Sequence, residues 1–262
     1  MMTARKGKVF LVGAGPGDPE LLTLKAVRAI AQADVILVDD LVNPAVLEHA
    51  RHDARIVNVG KRGGCKSTAQ SFIERLLVSE ATSGHTVVRL KGGDPFMFGR
   101  GGEEVAALTA AGIDYVVLNG ISAGLAAPTS IGIPLTHRDL CHGVAFITGH
   151  TQADGSLPWQ PLIAAGLTLV IYMGIANLPG IVAELRACGT RATMPIAVIQ
   201  DATLPSQRQL ICTLDTVVEQ VARQQLASPS IIVIGEVVTL NRGAEIVDYA
   251  RAGIRAERVE IA

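Results

Sequence analysis

Short apolar runs that alternate with stretches of helical periodicity are the feature that most constrains the fold of this chain. In the first half, strands are predicted at residues 8–12, 35–38, 56–59, 86–90 and 115–118. In the second half, they are predicted at residues 144–147, 167–173, 196–199, 209–213 and 230–238. Strands that alternate with helices are typical of parallel sheets covered by helices on both faces. We therefore predict an α/β protein with two α/β domains, residues 1–140 and 141–262, each with a mostly parallel sheet.

Polar or small residues follow four of the five predicted strands of the first half, at the point where each of these strands ends. They are Asp39, Lys61, Lys91 with Asp94, and residues 119–123. Open parallel sheets bind ligands at the edge formed by the carboxyl ends of their strands. The sequence therefore predicts a ligand site at this edge of the first domain.

The segment 88–104 concentrates the residue types of a binding site. It begins in a predicted buried strand and contains five glycines between Gly92 and Gly102. A predicted helix then begins at Glu103 and Glu104. Glutamates in a first helical turn face the positive end of the helix dipole, and glycines let a ligand approach the main chain. The alternative is an ordinary flexible connection, but such loops rarely carry this much glycine and charge between two well-patterned elements.

The turn after the first predicted strand, Gly13-Ala14-Gly15-Pro16-Gly17-Asp18, resembles a dinucleotide-binding motif only in part. A GxGxxG motif needs its third glycine at position 18, where this chain has Asp18. Pro16 also removes an amide that would otherwise face a pyrophosphate. The pattern therefore disfavours a nicotinamide dinucleotide site and a dehydrogenase.

Composition excludes several classes of partner. The net charge is −1, from 23 basic and 24 acidic residues, and aromatic residues make up 3%, so a nucleic-acid partner is disfavoured. We expect no membrane span, because no run of about 18 apolar residues occurs. We expect no metal site, because the four cysteines (Cys65, Cys141, Cys188 and Cys212) form no CxxC or His–Cys pattern. With no secretory signal at the N-terminus, we expect a cytoplasmic protein.

The loops, taken together and in order, resemble the tetrapyrrole methylase family over residues 7–240. The resemblance is carried by Val12–Thr23, Asp39 with Leu41-Val42, Val59–Arg62, Arg89–Phe96 with Gly99–Glu104, and Gly132–Arg138. The Arg100–Glu103 loop and the Leu135–Arg138 segment resemble the members that methylate uroporphyrinogen III more than those that methylate later corrin intermediates.

The resemblance implies two α/β domains with a ligand cleft between them, usually in a homodimer (a class III methyltransferase). It implies transfer of two methyl groups from S-adenosylmethionine to carbons 2 and 7 of uroporphyrinogen III, giving precorrin-2 and S-adenosylhomocysteine. Precorrin-2 leads to sirohaem, cobalamin or haem d1. Larger fused members carry an additional NAD-dependent domain, and we expect that this chain is the methyltransferase alone.

The resemblance also implies roles for individual residues. Acid–base roles fall on Asp39 and Lys61, and Arg100 and Glu103 join them as catalytic candidates. Arginine pairs well with the carboxylates of such a substrate, and the substrate-binding candidates are Arg100, Arg138 and His150. The family's cofactor contacts fall on Pro16, Gly92, Gly93, Asp94, Met97, Ser122, Ala123, Met173 and Ala202.

Some alternatives remain open at this stage. Met97 and Met173 could be ordinary core residues, and Arg100 could form a salt bridge with Glu103 or Glu104 instead of contacting substrate. Gln200-Asp201-Ala202 departs from the family's usual turn, which leaves the Ala202 contact less certain. Other candidate functions are a methylase of a later corrin intermediate, a relative that acts on RNA or diphthine, and a module that binds without turnover.

Overall fold

The computed structural model describes residues 6–60, 68–150 and 157–241. The chain divides into two compact units. The first contains the described part of Met1–Ala126 together with Gln200–Arg208 and Ser228–Ser230. The second contains Ala127–Ile199, Gln209–Ala227 and the described part of Ile231–Ala262. The first unit thus includes two short segments from the second half of the sequence. The predicted domain boundary at residue 140 stays a prediction.

The first unit is built on a five-stranded sheet with the order β3-β2-β4-β1-β5. Its strands are β1 (Lys8–Gly13), β2 (Val35–Val38), β3 (Arg55–Asn58), β4 (Val87–Lys91) and β5 (Asp114–Leu118). Neighbouring strands pair in parallel throughout this sheet. The α/β prediction is therefore confirmed, and the predicted strands lie within about two residues of the observed ones at each end.

Helices cover both faces of this sheet, because alternate residues of each strand point to opposite sides. They are α1 (Leu24–Ile30), α2 (Gln70–Thr82), α3 (Gly101–Ala110) and α4 (Ala123–Ser130), with short 3₁₀ helices at Pro19–Leu21 and Pro44–His49. Val88 and Leu90 of β4 pack in one apolar core with α1. Val87 packs in the opposite core with Leu77 of α2 and Leu108 of α3. Helix α4 was not predicted from the sequence.

The strand order determines where the carboxyl edge opens. From β1 the chain crosses over β4 to reach β2, whereas from β4 it crosses over β1 to reach β5. The loops that follow these two central strands therefore leave in opposite directions. Such a switch point opens a crevice outside the carboxyl ends of the strands, where open α/β sheets bind ligands.

The second sheet has the order β6-β7-β10-β8-β9. Its strands are β6 (Gly143–Thr148), β7 (Leu167–Tyr172), β8 (Pro195–Gln200), β9 (Arg208–Thr213) and β10 (Ser230–Ile234), accompanied by α5 (Trp159–Ala164), α6 (Leu178–Ala187) and α7 (Val217–Gln224). Strands β6 and β7 are parallel, whereas β10 runs antiparallel to β7. The expectation of a mostly parallel sheet therefore describes the first sheet, and the second is mixed.

The strand predicted at residues 230–238 is too long. Strand β10 ends at Ile234, Gly235 has a φ of 150°, and Glu236–Leu240 forms a 3₁₀ helix. The transition from strand to 3₁₀ helix could not be predicted, because this segment is apolar throughout. Hydrophobicity alone does not distinguish a buried strand from a buried helical turn. Within the described residues, every helix is too short or too polar to span a membrane.

Candidate active site

The loops that follow β1 and β4 are joined through their main chains. The amide of Ala14 donates to the carbonyl of Lys91 at 2.8 Å. Gly15 and Gly93 exchange two hydrogen bonds, at 3.2 Å and 2.7 Å. Both glycines have positive φ, 74° and 65°, which side-chain-bearing residues adopt only with strain. The glycines of these two loops therefore allow a close main-chain junction at the carboxyl edge of the sheet.

The loop that follows β5 meets the same junction. A Cβ atom added to Gly93 would lie 3.7 Å from Ser122 Cα and 3.8 Å from the Ala123 nitrogen. A Cβ atom on Gly120 would overlap the carbonyl oxygen of Gly93 and lie 2.7 Å from Gly13 Cα. Three loops thus converge where only small residues fit, and they present main chain rather than bulky side chains.

Asp94 ties two of these loops together. Its Oδ1 accepts the main-chain N–H of Phe96 at 2.8 Å. Its Oδ2 accepts the N–H of Gly120 and the side-chain amide of Asn119, both at 3.2 Å. Both carboxylate oxygens are therefore engaged within the protein, and Asp94 fixes the distance between the loops after β4 and β5. Met97 follows in the same loop, where its N–H donates to the carbonyl of Asp94 at 3.3 Å.

The segment Gln200–Arg208 packs against the loop after β1. The Asp18 amide donates to Thr203 Oγ1 at 3.0 Å, and a Cβ atom on Gly17 would lie 3.0 Å from the Ala202 carbonyl oxygen. Ala202 itself is buried. The structure therefore brings one set of predicted cofactor residues to a single edge of the first unit, namely Pro16, Gly92, Gly93, Asp94, Met97, Ser122, Ala123 and Ala202.

Asp39, which follows β2, belongs to a network of four charged side chains. Its Oδ2 lies 3.0 Å from Arg89 Nη2 and 3.9 Å from Lys91 Nζ. Glu104 Oε1 in turn lies 2.9 Å from Arg89 Nε and 3.3 Å from Lys91 Nζ. Gln70 of α2 adds a hydrogen bond to the same oxygen at 3.4 Å.

This network is buried except at one end. The side chains of Arg89, Lys91 and Glu104 are 2%, 4% and 0% exposed, whereas that of Asp39 is 35% exposed. Burial, reinforced by the positive charge of Arg89, lowers the pKa of Lys91 below its usual value, against the opposing effect of Glu104 and Asp39. Arg89 and Glu104 were not predicted from the sequence as a buried ion pair. The available signal was a charged residue inside an otherwise apolar strand, which must find a buried partner.

Arg100 and Glu103, two of the predicted catalytic residues, pair with each other at the exposed start of α3. Two hydrogen bonds of 2.8 Å and 2.7 Å join the guanidinium to the carboxylate. The pairing raises the pKa of Arg100 and lowers that of Glu103. Of the two salt bridges considered for Arg100, the one with Glu103 therefore forms. The side chain of Glu104 instead belongs to the buried charge network.

A cavity of about 350 Å³ opens beside Asp39 at the carboxyl ends of β2 and β3. Its wall combines two carboxylates, Asp39 and Asp40, with apolar side chains that include Val42, Leu47 and Ile56. Lys61, the remaining catalytic candidate, lies outside the described residues.

The remaining candidates belong to the second unit. His150 and Met173 follow the carboxyl ends of β6 and β7, which are neighbouring parallel strands, and the amide of Gly149 donates to the carbonyl of Tyr172 at 2.7 Å. Arg138 lies instead in the turn that leads into the amino end of β6. The structure therefore groups His150 with Met173 at one sheet edge but does not place Arg138 there. Met173 is 51% exposed, so it is not an ordinary core residue.

Strained backbone clusters at the predicted site residues. Apart from glycines, the described residues with positive φ are Phe98, Arg100, Met173, Asp201, Thr203 and Gln225. Arg100 and Met173 are themselves candidates, and Asp201 and Thr203 flank Ala202. A residue held in this region costs of the order of 1–3 kcal/mol, and such residues concentrate at binding and catalytic sites. Within the described ranges, His, Cys, Asp and Glu side chains form no cluster that could hold a metal ion.

Comparison with known proteins identifies relatives over most of the chain. The family model for Tetrapyrrole (Corrin/Porphyrin) Methylases matches residues 8–218. A uroporphyrinogen-III C-methyltransferase of Pseudomonas aeruginosa PAO1 is 56% identical over 231 residues, which cover 88% of this chain and 94% of that protein. A siroheme synthase of Azotobacter vinelandii is 50% identical over 89% of this chain, which spans 51% of its length.

A solved structure shares the fold at substantial identity. It is the crystal structure of uroporphyrin-III C-methyl transferase from Thermus thermophilus complexed with S-adenyl homocysteine. The TM-score is 0.76 at 40% sequence identity, and the match covers 89% of this chain and 100% of the other.

Proposed function

Because this chain belongs to the tetrapyrrole methylase family, we propose that it is an S-adenosylmethionine-dependent uroporphyrinogen-III C-methyltransferase. The observation that carries the proposal is the 56% identity to a relative of that name over 94% of the relative's length. The chain spans about half of a siroheme synthase, and we propose that it corresponds to a methyltransferase part of that protein. Its reaction would add methyl groups at carbons 2 and 7 and give precorrin-2, the precursor of sirohaem, cobalamin and haem d1.

The residues at the carboxyl edge of the first sheet fit S-adenosylmethionine. The cofactor presents an ammonium, a carboxylate, ribose hydroxyls and an adenine, all of which main-chain N–H and C=O groups can bind. Gly93, Gly120 and Ala123 converge at this edge and are only half-buried, so that main chain rather than bulky side chains lines it. When bound, the cofactor supplies an electrophilic methyl group on a positively charged sulfur.

Asp94 is proposed to act on the cofactor through the loops that it joins. Both of its oxygens already accept hydrogen bonds from Phe96, Asn119 and Gly120. Its role in binding would therefore be to hold the glycine loop and the loop after β5 at a fixed separation. Met97 and Met173 are proposed as apolar walls of the site.

The pyrrole carbons of the substrate are already nucleophilic, so this chain must position the substrate and handle one proton for each methyl group added. We assign the proton transfer to Asp39, because it is the end of a buried charge network that reaches the surface of a cavity. Lys61 is proposed to donate a proton or bind a propionate. Arg100, Arg138 and His150 are proposed to bind substrate carboxylates, and Glu103 to orient Arg100 between turnovers.

The test is anaerobic incubation of the chain with uroporphyrinogen III and excess S-adenosylmethionine, followed by mass spectrometry of the tetrapyrrole. We expect two added methyl groups and a matching amount of S-adenosylhomocysteine. A single addition to a later corrin substrate, with none to uroporphyrinogen III, would indicate a different member of the family. Binding of the cofactor without transfer to any tetrapyrrole would refute the enzymatic proposal.

Two further points are proposed from the family resemblance. The chain would act as a homodimer, which sedimentation analysis at micromolar concentration can test. It would act in the cytoplasm, which fractionation of the source cells can test.

A further inference from the structure

We propose that Glu104 and Lys91, together with Arg89, are positioning residues that hold the carboxylate of Asp39 in place for proton transfer. This inference rests on the proposed function, in which Asp39 exchanges the proton. It adds residues that do not reach the substrate themselves.

The network arises from the alternation of side chains along β4. Residues 87, 89 and 91 point to the same face of the sheet, toward α2 and α3. At Val87 this face is part of the apolar core, whereas at Arg89 and Lys91 it becomes charged. Glu104 projects from the first turn of α3 to meet both cations. The charged layer therefore lies directly beneath the carboxyl edge of the sheet.

Arg89 links the two carboxylates through different nitrogen atoms. Its Nε donates to Glu104 Oε1 at 2.9 Å, and its Nη2 donates to Asp39 Oδ2 at 3.0 Å. Its Nη1 donates to the carbonyl of Leu90 at 3.2 Å. Because the guanidinium is rigid and planar, its bond to the buried Glu104 also fixes where the carboxylate of Asp39 lies.

The charges of the network balance. Arg89 and Lys91 carry two positive charges, and Asp39 and Glu104 carry two negative charges. In a buried environment an uncompensated charge is strongly unfavourable, and each Coulomb interaction is stronger than in water. Without Glu104, two cations would face Asp39 alone and bind its carboxylate more tightly. Glu104 therefore offsets part of the positive charge that faces Asp39.

Stability alone is a weak explanation for this arrangement. Replacing a buried ion network by apolar side chains is often neutral or stabilising. Glu104 Oε2 is buried and makes no hydrogen bond among the described residues, so the carboxylate is not even fully satisfied. Of the four side chains, that of Asp39 is the most exposed, and it lines the cavity. This position points to a role for the network at the cavity.

The test compares Glu104→Gln, Lys91→Met and the double variant in the methyl-transfer assay. Each single change unbalances the network by one charge, in opposite directions, and the double variant restores the balance. We expect each single variant to lower kcat by about tenfold or more, since displacing a catalytic group by about 1 Å can cost about 100-fold. We expect KM for both substrates and the Kd for S-adenosylhomocysteine to change by less than about threefold. The double variant should recover most of the lost kcat.

Glu80→Gln is the matched control. Glu80 of α2 also pairs with an arginine, Arg55, and with His85, but it lies near the amino edge of the same sheet. We expect its kcat to match that of the unmodified chain. Thermal unfolding of every variant is measured first, and the assay is run at a temperature at which all of them are folded.

Arg89→Lys keeps the test decisive if Glu104→Gln does not fold. A lysine ammonium retains the charge but cannot occupy the two separate positions of Nε and Nη2, so kcat should again fall by about tenfold with KM preserved. Unchanged kcat in folded single variants, or a double variant no better than the poorer single variant, would overturn the proposal. If the unmodified chain itself fails to methylate uroporphyrinogen III, the proposed function fails and this inference falls with it.

Discussion

Arg100 and Glu103 form a two-point ion pair, in which Nε lies 2.8 Å from Oε1 and Nη2 lies 2.7 Å from Oε2. Glu103 therefore presents to Arg100 the same geometry that a propionate of a tetrapyrrole would present. Both side chains are about half exposed, at 56% and 52%, so water screens the pair and a competing carboxylate can displace it. We interpret the pair as a resting arrangement that keeps the guanidinium fork oriented.

Arg100→Ala should reduce methyl transfer by about 100-fold or more, because the fork that would anchor a substrate carboxylate is lost. The Kd for S-adenosylhomocysteine should stay within about threefold of the original, since the guanidinium of Arg100 hydrogen-bonds Glu103 and not a residue of the glycine junction. Turnover by mass spectrometry and binding by calorimetry check the two parts. Unchanged turnover would remove Arg100 from the substrate site.

Arg51→Ala is the matched control for this change. Arg51 forms a similar exposed two-point pair with Asp53, with both contacts at 2.9 Å, in the turn before β3. Because this pair lies at the amino edge of the sheet, its loss should leave both turnover and cofactor binding unchanged.

Asp94→Ala should raise the Kd for S-adenosylhomocysteine by about tenfold or more. The substitution removes the charged acceptor for the amides of Phe96 and Gly120, and a hydrogen bond to a charged group contributes about 1.5–3 kcal/mol. Asp34→Ala is the control, because Asp34 Oδ2 accepts the amide of Thr86 at 2.7 Å and joins loops at the opposite edge. It should lower stability without affecting the Kd. Equal Kd values for the two variants would contradict the role of Asp94.

Gly120→Ala should lower the free energy of unfolding by roughly 2 kcal/mol and weaken cofactor binding, because the new methyl group would overlap the Gly93 carbonyl oxygen. Backbone cannot move aside as a flexible side chain can. Gly102→Ala is the matched control in α3, where an added Cβ meets nothing within 4 Å. Urea unfolding and calorimetry should separate the two variants clearly, and equal behaviour would argue against a close junction.

The stability difference between the unmodified chain and Lys91→Met should depend on pH. Burial lowers the pKa of Lys91 below 10.5, so between the lowered value and 10.5 the unfolded chain binds more protons than the folded one. The unmodified chain should therefore gain stability relative to Lys91→Met as pH rises through this window. Urea unfolding at about pH 7 and about pH 9.5 measures the change. A constant difference would mean that the lysine is not destabilised by burial.

Hydrophobic patterning predicted the central strands because β1, β2 and β4 are largely buried and are mostly apolar. Strands β3 and β5 at the two edges of the first sheet are more exposed, and short apolar runs indicated them. Strand direction in the second sheet could not be predicted in the same way. The pattern of β10 is as apolar as that of β7, although the two strands run antiparallel. Direction depends on the path of the connecting chain, which hydrophobicity does not encode.

The site was predictable where small residues and turns determine it. Glycines at positions 92 and 93 indicated a close main-chain approach, and the structure shows the junction with Gly15. The charge network was not predicted, because Arg89 and Glu104 are separated by fifteen positions along the chain. Their meeting requires the orientation of α3 over β4, and this orientation comes from tertiary packing.

The contribution of Gln200–Arg208 and Ser228–Ser230 to the first unit has a consequence for synthesis on the ribosome. Residues 6–126 can form their sheet early, but the glycine turn at Gly17 and Asp18 must await Ala202 and Thr203. The nascent chain therefore emerges without the residues that pack against this turn, and the carboxyl edge of the first sheet is completed only after most of the chain has been translated. A chain truncated before Gln200 would therefore lack the residues that complete this edge of the first sheet.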